Sequence, residues 1–278
     1  LIKTIGIIGQ GFVGNAVKEG MKSFFKIETF DIIKEKSTAI SVDELFKKSD
    51  VIFVCLPTPM KKSGECDISI IEPVVSNINS LGSKTVILKS TIPPGTCDYL
   101  QNKCENLKII FNPEFLTEAA AVQDFINQNR IVLGGKDDNA LNDVEEMFKK
   151  AFPKANIIKT TTKIAESVKY VTNCFLSLKV SFANQLYDLC NTCGINYNEV
   201  VEISKLDNRL GNSHWKVPGP DGDRGYGGHC FPKDMQAFLK FAKNNNIDMS
   251  LIEEAIKYND TIRKDRDWEK MKGRAVSE

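Results

Sequence analysis

The stretch GPDGDRGYGGHCFPKD, residues 219–234, crowds glycines ahead of a single cysteine, Cys230, and follows it with Lys233 and Asp234. Pro232 suits a first helical turn, so Cys230 is expected at a helix start. There the backbone N–H groups favour a thiolate, and Lys233 adds positive charge. Lys169 and Asn173 stand four apart in a long helical run and share one face. A cation and an amide donor so placed would stabilise an oxyanion; the same spacing also suits a solvated lysine beside a surface asparagine. Glu114 and Glu118 are four apart as well. If EFLTEAAA opens a helix, the two carboxylates lie one turn apart and position a base and a water; acidic capping of a helix start explains them equally.

The elements that must position these groups begin at the first residues. In IKTIGIIGQGFVGNAVKEG a short apolar run is followed by Gly9, Gly11 and Gly14 and then by a helical pattern. Gly9 permits the tight turn, Gly11 lets backbone approach a pyrophosphate, and Gly14 allows close helix–strand packing. The helix N-terminus then faces the diphosphate. KIETFDI reads as the second strand and ends at Asp31, about 20 residues beyond the glycines, where an acid binds the adenosine ribose. Asp31 favours NAD over NADP because a 2′-phosphate would meet its carboxylate; Lys34 and Lys36 nearby weaken that preference.

Strand-like DVIFVCL, KTVILKS, LKIIFN and RIVLGG continue the series, with helical patterns over 68–80, from about 95, and over 137–150. Repeated apolar strands between amphipathic helices predict a buried, mainly parallel sheet. PTP, which holds Thr58, and STIPPG, which holds Thr91, follow directly on strand ends. Loops there bind ligands in doubly wound folds, although simple turns account for them too. From Thr160 to Cys193 the chain contains neither proline nor glycine and would span about 50 Å as one helix. Such a helix is expected to join two domains and to carry a subunit interface, with a kink or break as the alternative. Shorter helical patterns follow at 197–206, 232–244 and 249–270. The expected fold is α/β: an N-terminal Rossmann-like doubly wound sheet over residues 1–159, then a central long helix and a small all-helical domain over 160–278.

Charge and cysteine usage narrow the classes. With 37 basic and 36 acidic residues the net charge is +1, which speaks against a nucleic-acid or anionic-membrane partner. Eight scattered cysteines read as reduced thiols rather than a disulfide framework. CNTC, at 190 and 193, has redox-motif spacing but no strand before it. Two histidines make a mononuclear zinc site unexpected. No signal peptide or membrane span is apparent, so a soluble, cytoplasmic protein is expected.

Taken together, GIIGQGFVG, VCLPTP, KSTIPPGT, NPEFLTE, AESVKYVTN and GYGGHCFPKD resemble the nucleotide-sugar dehydrogenases, of which UDP-glucose 6-dehydrogenase is the type. The six blocks stand in the family's order from residue 2 to roughly 265. The resemblance implies an NAD-dependent, four-electron oxidation of a sugar nucleotide at C6, with UDP-glucose the expected substrate and UDP-glucuronate the product. It implies Cys230 as nucleophile, Lys169 and Asn173 on the oxyanion, and Glu118 assisting thioester hydrolysis near the nicotinamide. Thr91, Glu114 and Asp234 would organise a catalytic water. Gly9, Gly11, Gly14 and Asp31 would contact NAD, joined by Lys34, Thr58, Thr91, Glu118 and Lys233. It also implies a homodimer through the long helix. Family members carry a second Rossmann-like domain that grips UDP, which these 278 residues do not include; the expectation is either a fragment or a short member whose pocket another chain completes. The 219–225 insertion, with Asp223 and Arg224, is expected to offer substrate contacts in compensation. A two-electron β-hydroxyacid dehydrogenase and a catalytically impaired NAD-binding scaffold are the alternatives.

Overall fold

Seven short strands form one sheet: β1 (Thr4–Ile8), β2 (Lys26–Phe30), β3 (Val51–Val54), β4 (Lys84–Leu88), β5 (Leu107–Phe111), β6 (Arg130–Gly134) and β7 (Asn156–Thr160). Their order is β2-β1-β3-β4-β5-β6-β7, parallel everywhere except between β5 and β6. Six helices cover it: α1 (Phe12–Met21), α2 (Val42–Lys48), α3 (Ile71–Leu81), α4 (Thr96–Lys103), α5 (Ala121–Ile126) and α6 (Asp138–Ala151). Successive side chains of each strand point to opposite faces. Ile5, Ile7, Val51, Phe53 and Ile87 pack with α1, α5 and α6, whereas Ile8, Ile52, Val54, Val86 and Leu88 pack with α2, α3 and α4. Burial on both faces is why these strands read as unbroken apolar runs. β7 was not expected from the sequence. It is a half-exposed edge strand, and its pairing with β6 decides its conformation.

The chain leaves β1 between the ends of β2 and β3, at the point where the winding direction reverses, which is where doubly wound sheets bind ligands. Gly9 turns there with φ +89°, and a Cβ on it would lie 2.5 Å from the Cys55 carbonyl oxygen. A Cβ on Gly14 would lie 1.8 Å from the Gly9 carbonyl oxygen, so glycine at 14 lets α1 start hard against the turn. A Cβ on Gly11 would project into open space.

The computed structural model describes residues 2–277. These fall into two units, one comprising the chain up to Thr58 with Ile68–Lys169, the other Pro59–Asp67 with the chain from Tyr170 onward. The division lies inside the long helix α7 (Thr162–Thr192), whereas the sequence put it at 159/160. The reason is packing at the start of α7. Ala165 is fully buried in the sheet's core, and Glu166 accepts the backbone N–H groups of Gly95 and Cys97 at 2.6 and 2.7 Å.

The second unit is helical, with α8 (Tyr197–Ser204), α9 (Phe231–Asn244) and α10 (Ser250–Ile262) added to the rest of α7. Cys174, Tyr226, Met235, Leu239, Ile252 and Ala255 form one core, and Ala183, Cys190, Tyr197, Val201 and Trp215 another. Met60 makes isolated bridges with Cys66 and Val276, which attach the 59–67 excursion to this unit. α10 stops at Ile262, well short of 270, because Arg263 turns its guanidinium inward to Asp221 and Asp267. Val171, Phe175, Phe182 and Leu189 form an apolar stripe along α7, each more than half exposed. Of the CNTC pair Cys190 is buried and Cys193 exposed, both as free thiols. Among the described residues no helix is long and apolar enough to cross a membrane.

The two glycines separate packing from ligand approach. Gly14→Ala is expected to lower the unfolding free energy by about 3 kcal/mol, because backbone must shift. Gly11→Ala is expected to lower it by no more than about 1 kcal/mol while weakening dinucleotide binding. Urea unfolding of both variants checks this, and equal losses would contradict the geometry.

Candidate active site

Asp31 stands at the end of β2, beside the glycine turn. Its Oδ2 accepts the Gln10 backbone N–H at 2.6 Å and its Oδ1 accepts that of Ile33 at 2.9 Å. Gly11, the N-cap of α1, brings no side chain to the first-turn N–H groups, and the first turn holds no acid. A turn with open space above Gly11, a helix N-terminus and an acid on the next strand are what a dinucleotide's diphosphate and ribose require. Lys34 lies in an exposed 3₁₀ turn, Lys34–Lys36; it is Lys36 whose ammonium reaches the turn, 3.3 Å from the Gln10 carbonyl. The two strand-end loops are tied together: the Thr58 hydroxyl donates to the Thr91 carbonyl at 2.7 Å, with both residues buried.

The paired glutamates do not share a helix face. Only a 3₁₀ turn begins at Glu118, and α5 starts at Ala121. The Glu114 carboxylate takes the Leu116 N–H at 2.7 Å and Asp124 takes the Thr117 N–H at 2.8 Å, two side-chain bonds that replace a helical start. Glu114 is consequently buried at 6% exposure, whereas Glu118 is exposed. Lys169 is buried too, at 3%, which rules out the solvated reading. Its ammonium donates to Glu114 Oε1 at 2.8 Å and to the Glu114 carbonyl at 2.7 Å. Burial by itself would raise the Glu114 carboxyl. The Lys169 charge and hydrogen bond, the Leu116 N–H and the charge of Lys89 overcome this and hold it below the ordinary carboxylate value.

Lys89, Asn112 and Cys55, all buried, were missed by sequence reasoning. The signal for Lys89 was available: a lone lysine ends an apolar strand that is covered on both faces.

In the second unit Cys230 is the N-cap of α9, with Pro232 in the first turn, as its spacing predicts. The Lys233 ammonium has a carboxylate partner beside the thiol. It donates to Asp234 Oδ1 at 2.5 Å, while Cys230 Sγ lies 3.3 Å from His229 Nε2. Burial alone would lower the Lys233 ammonium, but the charge of Asp234, aided by Cys230 and Cys66, raises it. Asp234 Oδ2 accepts Asn173 Nδ2 at 2.6 Å, so Asn173, Asp234 and Lys233 form one buried chain of charge-assisted bonds. His229 was not expected; a histidine next to the cysteine was the sequence signal for it.

The inserted segment spends its charges within its own unit. Asp221 pairs with Arg263 at 2.6 Å and Arg224 with Asp188 at 2.7 Å. Asp223 accepts the Lys264 and Asp265 N–H groups at 3.0 and 2.8 Å. These contacts hold the loop in place. Asn259 grips Tyr226 at both its N–H and its carbonyl, at 2.8 and 3.0 Å, and Asp267 holds the Gly228 N–H at 3.0 Å.

A dinucleotide cradle at a sheet switch point, a buried lysine–glutamate pair and a cysteine at a helix start define the class of NAD-linked dehydrogenases. Two family models make the assignment specific: the NAD binding domain of the UDP-glucose/GDP-mannose dehydrogenase family matches residues 31–152, and that family's central domain matches residues 163–261. The chain belongs to the UDP-glucose/GDP-mannose dehydrogenase family. It is 29% identical over 301 residues to a UDP-glucose 6-dehydrogenase of Bacillus subtilis, covering 94% of this chain and 64% of that protein. It is 35% identical over 224 residues to a UDP-glucose 6-dehydrogenase of Rhizobium meliloti, covering 76% and 50%. A solved UDP-glucose dehydrogenase from Pyrobaculum islandicum superposes with a TM-score of 0.85 at 25% identity, covering 94% of this chain and 68% of that one. The chain thus spans from half to just under two thirds of the length of these curated relatives.

The buried pair makes a stability prediction. Because the folded-state pKa of Glu114 lies below its unfolded value, its stabilising contribution is present above about pH 4.5 and is lost as pH falls through the folded value. Glu114→Gln leaves the Lys169 ammonium without its counter-charge and is expected to destabilise the chain by about 3 kcal/mol at pH 7, with a shallower loss on acidification. Denaturant unfolding at several pH values measures both effects.

Proposed function

We propose that this chain carries the NAD-binding and thiol-bearing parts of a nucleotide-sugar 6-dehydrogenase that converts a C6 primary alcohol to a carboxylate, with UDP-glucose as substrate. The observation that carries the reading is Cys230 at the N-cap of α9, one turn ahead of the buried Asp234 that binds Asn173 and Lys233. The family match and the relatives named UDP-glucose 6-dehydrogenase support it.

Two molecules of NAD, bound in turn, would each accept one of the two hydrides that the reaction releases from C6. Gly9, Gly11, Gly14 and Asp31 would hold each in turn, with Lys34, Thr58, Thr91, Glu118 and Lys233 as further contacts. Loss of the first hydride and the hydroxyl proton leaves an aldehyde. The Cys230 thiolate adds to its carbon, and the Lys169 ammonium and Asn173 amide hold the resulting oxyanion. Departure of the second hydride re-forms the C=O bond as a thioester. Water, organised by Thr91, Glu114 and Asp234 and assisted by Glu118, adds to that carbon. The C–S bond breaks, freeing the carboxylate and restoring Cys230. A cytoplasmic homodimer fits this reading, and the exposed stripe Val171, Phe175, Phe182 and Leu189 supports a self-association surface on α7.

The test is NADH formation by the chain with a panel of sugar nucleotides, run in parallel with Cys230→Ser. Two NADH per UDP-glucose are expected, with four-electron turnover abolished in the variant. One NADH per substrate from both proteins would identify a two-electron hydroxyacid-type enzyme. NAD binding without turnover of any substrate would identify an NAD-binding scaffold.

A further inference from the structure

An ammonium buried against neutral groups is unfavourable unless something nearby requires its charge, and the first unit holds one. Lys89 follows β4 with 2% of its surface exposed. Its direct hydrogen-bond partners among the described residues are two uncharged oxygens of Asn112, Oδ1 at 2.7 Å and the carbonyl at 3.3 Å. Asn112 in turn donates through Nδ2 to the Val132 carbonyl at 2.8 Å and through its backbone N–H to the Leu88 carbonyl at 2.9 Å. Lys89 therefore braces the place where β4, β5 and β6 meet, two residues ahead of Glu114.

Three titratable groups face it from the neighbouring elements: Cys55 beyond β3, Glu114 beyond β5 and Lys169 on α7. Burial pushes the Lys89 ammonium down to about 8; Cys55 and Glu114 oppose this, and Lys169 adds to it. Burial also lifts the Cys55 thiol to about 12, so it is neutral near pH 7. Glu114 is thus the carboxylate that two ammonium groups share, although only Lys169 touches it.

We propose that Lys89 is a positioning residue for the Glu114–Lys169 pair, fixing the 112–114 loop through Asn112 and weakening, by its charge, the hold of Glu114 on Lys169. The inference rests on the role given above to Lys169. An ammonium wholly satisfied by its own carboxylate has little field left for a developing oxyanion; a second cation drawing on that carboxylate leaves more of it for the substrate.

Two variants separate charge from bracing. Lys89→Gln keeps a donor for Asn112 and removes the charge, whereas Lys89→Met removes both. For Lys89→Gln, kcat for NADH formation is expected to fall about tenfold with KM little changed. A positive neighbour favours the ionised carboxylate, so removing it raises Glu114; the acid limb of the pH–rate profile moves upward by about one pH unit. NMR titration of ¹³C-labelled glutamate carboxyls should show the same upward shift in Glu114 without any turnover. Failure of this proposal is thereby distinguished from failure of the dehydrogenase reading. An unmoved Glu114 titration in Lys89→Gln, or full activity in that variant beside an impaired Lys89→Met, would make Lys89 a brace alone and overturn the proposal. If Lys89→Met does not fold, the Lys89→Gln titration decides the matter.

Discussion

The buried contact between Lys169 and Glu114 sets the terms for the first unit's site. At 3% exposure the Lys169 ammonium is stabilised by a carboxylate in hydrogen-bonding contact. To supply it, the chain after β5 must turn back at once, so Glu114 spends its other oxygen on the Leu116 N–H and no helix starts there. α7 must also begin against the sheet, which Ala165 and Glu166 ensure by burial in the core and by binding the Gly95 and Cys97 N–H groups. The loop after β4 and the start of the long helix are therefore fixed by the same few polar contacts.

The second unit solves a similar problem with a different chemistry. A glycine-rich approach to Cys230 has backbone freedom that must be removed if a thiol is to hold one position. Side chains from the elements around it do so. Asn184 reaches the Gly225 N–H, Asn259 closes on Tyr226, and Asp267 takes the Gly228 N–H. Charges in the inserted segment serve the same end, because Asp221 and Asp223 engage Arg263 and the backbone just after α10. An insertion rich in charge need not face a ligand; here it ties a loop to the helix that follows it.

Much of the fold was legible because local pattern and tertiary role agree. The strand–glycine–helix series, Asp31 at the end of β2, the uninterrupted run of α7 and the helix start at Cys230 all follow from residue type and spacing. The failures share a cause. β7 is short and half exposed, so its strand conformation comes from pairing with β6. Glu114 and Glu118 have helical spacing, but hydrogen bonds from side chains seven and two residues apart in sequence win over it. Lys233 follows Cys230 as the sequence places it, but its hydrogen bond to the adjacent buried carboxylate of Asp234 is a tertiary detail that spacing does not show.

By itself the sequence determined which elements form and which residues can carry chemistry, since glycine conformations, helical periodicity and side-chain type are local properties. It placed the glycines, Asp31, Lys169, Asn173, Cys230 and Asp234 on the correct elements. Only the tertiary structure decided who partners whom: Lys169 with Glu114, Asn173 and Lys233 with Asp234, Cys230 beside His229, and Lys89 against Asn112. The physical reason is that charge pairing depends on burial and on distances between residues 23 to 61 positions apart as well as between neighbours, and no periodicity along the chain records those distances.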